Sequence, residues 1–429
     1  VCSTDALLRL IREGRFDGCF ASLYGAGRVE AQRERYAGAV AAFAETFGPA
    51  EEAFLFSAPG RTEIGGNHTD HNHGRVLAAS VSLDVVAVAA PTGSSRMRVK
   101  SKGYDMDAVS LDDLAVREEE ANRSASLLRG TAARFAALGY AAGGFDAYTT
   151  SDVLKGSGLS SSAAYEVLLG TILSHLFNGG GVPPVEIAKI AQYAENVYFG
   201  KPSGLMDQTA SSVGGIIAID FADPDKPVIR PVPFDFAASG HSLCIVDTGG
   251  NHADLTHEYA AIPAEMQAVA RSLGVSFLRE TTLDKLLAVL PSLRREHGDR
   301  AVLRAIHFLG DNDRVEKQVA ALEAGDFEEF KRLVIESGHS SFEYLQNVYA
   351  ACNVEEQGLS LALALAQKEL DGRGAWRVHG GGFGGTTQNF VPAEALDGFV
   401  RLMESVFGPG SCHVLQIRAQ GGVKLEPSV

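Results

Sequence analysis

Between Ala58 and Gly74 the chain reads APGRTEIGGNHTDHNHG, a stretch holding Arg61, Glu63, Asn67, His68, Thr69, Asp70, His71, Asn72 and His73 and almost no apolar side chain. Donors and acceptors at that density suit recognition of a polyhydroxylated ligand, with a solvated surface loop as the plain alternative. A metal site on His68, His71 and His73 is weaker, because the spacing is not H-E-x-x-H and no cysteine lies nearby. A second segment, VLKGSGLSSSAAYE, runs from Val153 to Glu166 between a strand-like and a helical run. Small residues let backbone N–H groups approach a ligand and serines supply capping oxygens. Aligned peptide dipoles put partial positive charge where loop meets helix, so an acidic protein can hold a polyphosphate without a basic surface. Tight turns use the same residues. No GxxxxGK[ST] occurs, which argues against a P-loop fold.

Two carboxylates stand out further on. Glu195 sits at the edge of the apolar stripe formed by Ile187, Ile190, Ala191 and Ala194, where a charge needs a partner such as a magnesium ion. Asp207 lies in GLMDQTASSVGG, a short helical turn bounded by glycines. An ion pair or a helix cap explains either one singly. HGGGFGG, His379 to Gly385, joins two strand-like runs and alone reads as a hairpin.

Elements must bring these segments together. Helical spacing marks residues 30 to 47, 122 to 138, the run after the serines, and PPVEIAKIAQYAENVYF; helical patterns dominate from 263 to 369. Strand patterns mark Ala53–Ser57, Arg75–Pro91, Phe145–Val153, Ile216–Phe221, Val228–Phe234, Ser242–Asp247, the two arms around HGGGFGG, and 412 to 418. A domain change is placed near residue 213. With 429 residues the chain is too long for one small module, and 45% hydrophobic against 21% charged residues is the balance of a globular protein. A net charge of -15 repels nucleic acid and anionic lipid. Five scattered cysteines point to a reducing compartment, the N-terminal run reads as an amphipathic helix and not a signal peptide, and no run reaches the ~18 apolar residues of a membrane span. A cytoplasmic location is expected.

In this order the segments resemble the three motifs of the GHMP kinases, most closely those of the galactokinase family, and they span the chain from Ala58 to Gly385. GRTEIGGNHTDHN is similar to the signature G-R-x-N-x-I-G-E-H-T-D-Y-N, GSGLSSSAA to the nucleotide loop, and GGGFGG to the third motif. MDQ, with a glutamate 12 residues before its aspartate, and the tyrosine of HADLTHEY also match.

The resemblance implies an α+β, two-domain GHMP kinase architecture. A domain like the second domain of ribosomal protein S5, residues 1–212, would bind sugar and nucleotide; a ferredoxin-like domain, residues 213–429, would close the site. The implied reaction is ATP-dependent phosphorylation of galactose at the anomeric hydroxyl. Asp207 would orient or deprotonate that hydroxyl, and Arg61 would stabilise charge on the reacting oxygens. Ser162 and Glu195 would hold Mg²⁺, while the amides of Gly156, Ser157, Gly158, Leu159, Ser160, Ser161 and Ser162 would cradle the ATP phosphates. Asn67, His68, Asp70, Gly204 and Tyr259 would meet the sugar. A monomer is expected, with the sugar and ATP as its partners.

Several positions depart from the family pattern. Asn67 replaces a glutamate that contacts the hydroxyl at C6, so a C6 carboxylate would be repelled less, and galacturonate or L-arabinose is the alternative substrate. Glu63 replaces the usual Asn, His71 the usual Tyr, Leu154 the usual Pro, and Ile262-Pro263 two arginines. Two other classes compete. A sugar-binding transcriptional sensor would have a shortened nucleotide loop, whereas SSSAAYE is intact; a zinc hydrolase would use the histidine-rich loop.

Overall fold

The computed structural model describes residues 2–153, 158–250 and 255–428. Helices α1 (Thr4–Arg12), α2 (Asp17–Tyr24) and α3 (Val29–Phe47) precede two long strands, β1 (Phe54–Gly65) and β2 (Arg75–Pro91), which pair antiparallel. Next come β3 (Arg96–Ser101), β4 (Met106–Ser110), α4 (Ser124–Ala137) and β5 (Phe145–Ser151), then α5 (Ser161–Phe177), α6 (Pro184–Tyr193) and α7 (Met206–Val213). After β6 (Ile216–Asp220), β7 (Val228–Pro231) and β8 (His241–Asp247) the chain is mainly helical: α8 (Thr256–Ser272), α9 (Leu283–Ala288), α10 (Leu290–Glu323), α11 (Phe327–Ser340) and α12 (Gly358–Leu370). It ends with β9 (Ala375–His379), β10 (Thr386–Pro392), α13 (Leu396–Phe407), β11 (Cys412–Leu415) and β12 (Val423–Leu425).

The first sheet runs β12-β1-β2-β5-β3-β4, with β6 on β2 and β7 on β6; the second runs β11-β8-β10-β9. Pairing is antiparallel except between β3 and β5. The strand pattern led to an expected domain change near residue 213, and the first sheet continues past that point through β6 and β7. β5 pairs only with Val85–Pro91 of the long strand β2, leaving the edge at Arg75–Ala79 for β6. An unpaired edge of backbone donors and acceptors attracts a further strand. β12 likewise returns from the far end of the sequence to cover β1.

Strand alternation explains how one sheet serves two cores. Phe56, Ala58, Ala87 and Ala89 face the core shared with α4 and α5, while Leu55, Val86, Val88 and Ala90 face the N-terminal helices. The first of these cores continues into the second sheet through Leu243, Ile245 and Phe390, so the halves are packed against each other. Among the described residues no helix is long and apolar enough to cross a membrane.

Asp84 of β2 fastens the N-terminal helices to the sheet. Its carboxylate accepts from Tyr24 Oη at 2.6 Å, Arg35 Nη1 at 2.7 Å, Arg418 Nη1 at 3.1 Å and the Ser57 hydroxyl. Burial pushes the carboxyl's pKa up, but the Arg35 and Arg418 charges outweigh it and hold the group below its ordinary value. The stability it contributes is present above the unfolded pKa and is lost as pH falls through the folded one. Asp84→Asn strands two buried guanidinium groups, and urea unfolding should show a loss of about 3–5 kcal/mol. A midpoint equal to that of the parent protein would contradict this assignment.

Candidate active site

The polar stretch after Ala58 is a buried strand in its first half rather than the loop its composition suggests: β1 continues to Gly65, and Arg61 is only 8% exposed. Thr62 and Glu63 are satisfied from the second half of the molecule. Gln388 Nε2 donates to Thr62 Oγ1 at 2.6 Å, and Arg377 Nη2 donates to Glu63 Oε1 at 2.8 Å. Hydrophobic patterning could not find this strand because the side-chain partners of Thr62 and Glu63 lie more than 300 residues away.

The β1–β2 register shifts between Pro59 and Arg61, which re-aims the strand at the loop before α5. There the Arg61 amide donates to Leu159 O at 3.0 Å, and its Nη1 donates to Gly158 O. The rest of the guanidinium grips Asp207 in the first turn of α7 with both arms, Nε to Oδ1 at 2.7 Å and Nη2 to Oδ2 at 2.8 Å. Two parallel charge-assisted bonds fix orientation as well as distance. Ser160, held at φ 55°, donates its hydroxyl to the same carboxylate. Burial pushes the Asp207 pKa up, but the Arg61 charge and the bonds from Arg61 and Ser160 prevail and hold it below the ordinary value. The Asp207 side chain nevertheless keeps 31% of its exposure, turned to solvent.

Beside this pair lies a second group of carboxylates. Glu195 sits in a π-helical turn, Ala194–Phe199, a local irregularity common at functional sites. Its Oε1 lies 3.1 Å from Lys201 Nζ, and its Oε2 accepts from Gln208 Nε2 at 2.8 Å. Gln208 Nε2 also donates to Glu166 Oε2 at 3.1 Å, while Glu166 Oε1 is buried with no partner. Burial, and then the charge of Glu195, push Glu166 up to about 8. Sequence reasoning missed Glu166. The available signal was its spacing: on α5 it stands four residues after Ser162, on the same helix face.

Of the expected sugar contacts, Asp70 and Gly204 come together: a methyl group at residue 204 would lie 3.0 Å from Asp70 Oδ2. His68 Nε2 lies 3.1 Å from Gly381 O, and Tyr259 Oη donates to Gly382 O at 2.8 Å, so both stand against the third motif. Burial and then His71 lower the His68 pKa to about 3, so its ring is neutral. Gly382 has φ 81°, and a side chain there would collide with Asn347 O, so this turn tolerates only glycine. Gly158, Leu159, Ser160, Ser161 and Ser162 line the approach to α5, whereas Gly156 and Ser157 lie outside the described residues. His68, His71 and His73 do not converge as ligands: among the described residues the one three-donor group is elsewhere.

Asn67 is the correction. Its Nδ2 donates to Glu63 Oε1 at 3.0 Å and Gly380 O at 2.7 Å, and its Oδ1 accepts from Asn347 Nδ2 at 2.9 Å and Ser341 Oγ at 3.2 Å. With both N–H groups and both lone pairs used, the carboxamide has nothing left for a sugar. Its neighbour explains the substitution: Glu63 and Asn67 carry the carboxylate and the carboxamide in reversed order relative to the family signature, and the two side chains are bonded to each other. The charge argument for galacturonate, which needs Asn67 to face the ligand, loses its basis.

Comparison with known proteins gives the family. Residues 41–91 match the galactokinase galactose-binding signature, and residues 126–215 match the GHMP kinase N-terminal domain. The galactokinase of Streptomyces coelicolor is 34% identical over 85% of this chain and 91% of its own length; that of Homo sapiens is 32% identical over 89% and 94%. The structure of Lactococcus lactis galactokinase complexed with galactose superposes with a TM-score of 0.76 at 25% identity, covering 90% of this chain and 98% of that one. A mevalonate kinase structure, at 14% identity and a TM-score of 0.61, shares the fold.

Asn67→Ala would strand buried partners on both halves of the molecule. The unfolding free energy should fall by about 3 kcal/mol with no sugar present. Unchanged stability accompanied by a raised sugar KM would return the side chain to the binding site.

Proposed function

The chain belongs to the galactokinase family, and from that premise we propose that its cleft transfers the terminal phosphoryl group of ATP to the anomeric hydroxyl of galactose. The observation that carries the mechanism is the two-armed Arg61–Asp207 pair beside the loop that opens α5. Phosphoryl transfer passes through a loose transition state, which asks the protein for in-line positioning and for positive charge or dipoles near the transferring group. Asp207 receives the hydroxyl as a hydrogen-bond acceptor and holds it in line. A carboxyl kept below its ordinary pKa is a weak base, so its work is orientation first and proton acceptance late. Arg61 holds the carboxylate in place and supplies positive charge where negative charge gathers.

The amides from Gly158 to Ser162 and the start of α5 receive the phosphates, as a helix N-terminus and its loop do for anions generally. Asp70 and Tyr259 take sugar hydroxyls, with His68 as a neutral partner and Gly204 leaving room beside Asp70. The partnerless Glu166 Oε1, the Glu195 carboxylate and the Ser162 hydroxyl are hard oxygen donors of the kind magnesium prefers. Ser162 and Glu195 would hold Mg²⁺, which supplies charge neutralisation on the phosphates. The same reading takes the enzyme as a cytoplasmic monomer that acts on sugar and ATP and whose acidic surface turns nucleic acid away.

The test is a substrate panel at fixed MgATP with phosphorus NMR of the product, run on the parent protein and on Asp207→Asn. Galactose should be preferred over galacturonate and L-arabinose, with phosphate on O1. Asp207→Asn should lower kcat by about 10²–10⁴ while galactose KM changes little. Undiminished turnover in the variant, or phosphate on another oxygen, would overturn the mechanism.

A further inference from the structure

At the first turn of α8, which also carries Tyr259, three side chains of mixed chemistry converge. One donor atom each from His257, Glu258 and Cys352 all lie within 4.8 Å of one another. The first two come from the start of α8, and the third from the segment before α12, so a bound ion would join two separate pieces of chain.

Glu258 supplies an independent observation. The residue is only 7% exposed, and among the described residues its carboxylate has only long contacts: His257 Nε2 lies 3.8 Å from Oε1, and Arg300 Nη1 lies 3.8 Å from Oε2. Arg300 is already engaged by Glu265, to which its Nε donates at 3.0 Å. Contacts of that length offset the loss of water only in part, and a directly bound cation would offset it further. Because Arg300 stands at Oε2, Oε1 is the oxygen left for an ion.

We propose that His257 Nε2 or Nδ1, Glu258 Oε1 and Cys352 Sγ form a site for a thiophilic divalent cation, with Zn²⁺ the best match. A nitrogen, oxygen and sulfur set suits zinc, whereas magnesium and calcium take oxygen donors. Zn–N of about 2.0 Å and Zn–S of about 2.3 Å require ligand-to-ligand edges of about 3.3–3.8 Å in a tetrahedron. The side chain of His257 is 63% exposed and Cys352 is exposed, so rotation of these two closes the remaining gap while Glu258 stays fixed. Water takes the fourth position. The ion would clamp the turn that carries Tyr259 to the Cys352 segment, in a protein whose histidine-rich stretch at 68–73 offers no such group.

The experiment uses the full chain and two local probes. Cys352 is the exposed thiol, since Cys2 and Cys19 are half-buried and Cys244 and Cys412 are buried, so its alkylation by iodoacetamide can be followed by mass spectrometry. Equimolar Zn²⁺ should slow that alkylation at least about tenfold, millimolar Mg²⁺ should leave it unchanged, and competition with a chromophoric chelator should give one zinc per chain. His257→Ala and Cys352→Ser should each weaken zinc at least about tenfold. Hydrogen exchange at residues 255–259 should slow with zinc in the parent protein and in neither variant. Alkylation indifferent to zinc, or parent-like zinc affinity in both variants, would overturn the proposal.

Discussion

The constraint on which the site depends is a guanidinium–carboxylate pair that is buried on one side and open on the other. Arg61 belongs to β1, Asp207 to α7, and the third participant, Ser160, to the loop before α5. Their bonds tie three elements, distant in sequence, to one point. Desolvation of Asp207 would by itself favour the protonated acid, yet the pair reverses that preference. An ionised acceptor of fixed orientation is what a hydroxyl nucleophile needs when the transferred group does most of its own bond-breaking. Removing either partner would leave the other charge half-buried without compensation, so geometry and protonation state stand or fall together.

A second layer of polar contacts sets the distance between the halves. Arg377 of β9 donates to Ile64 O at 2.7 Å and to Glu63 Oε1 at 2.8 Å, and Asn67 joins Glu63 to Gly380, Asn347 and Ser341. These groups are buried between the sheets, where an unmatched donor or acceptor is costly, so the network accepts one register between β1 and the glycine-rich turn. The reversed order of Glu63 and Asn67 preserves both side-chain types within this network. The departure that pointed toward a different sugar is therefore an internal rearrangement of packing.

Much of this was legible in the chain. Residues 30 to 47, the helix after the serines, β2 and the hairpin around HGGGFGG follow local periodicity and fall where that periodicity places them. The three motifs, taken in order, led to the family. Three features were hidden, each for a physical reason. The polar strand at 58–65 is buried by contacts with residues 377–388, which no local window contains. The allegiance of β6, β7 and β12 to the first sheet depends on which edges of β2 and β1 remain free. The saturation of Asn67 is a count of four bonds, three of them to residues near 341–380, and residue type alone cannot reveal it.

The account is tested most directly by a crystal structure of the complex with galactose and a non-hydrolysable ATP analogue. It predicts the anomeric oxygen within hydrogen-bond distance, about 2.6–3.2 Å, of the Asp207 carboxylate, facing the terminal phosphorus, with the Arg61 grip intact. A sugar bound with another oxygen toward that phosphorus, or with Asp207 turned away from it, would contradict the account.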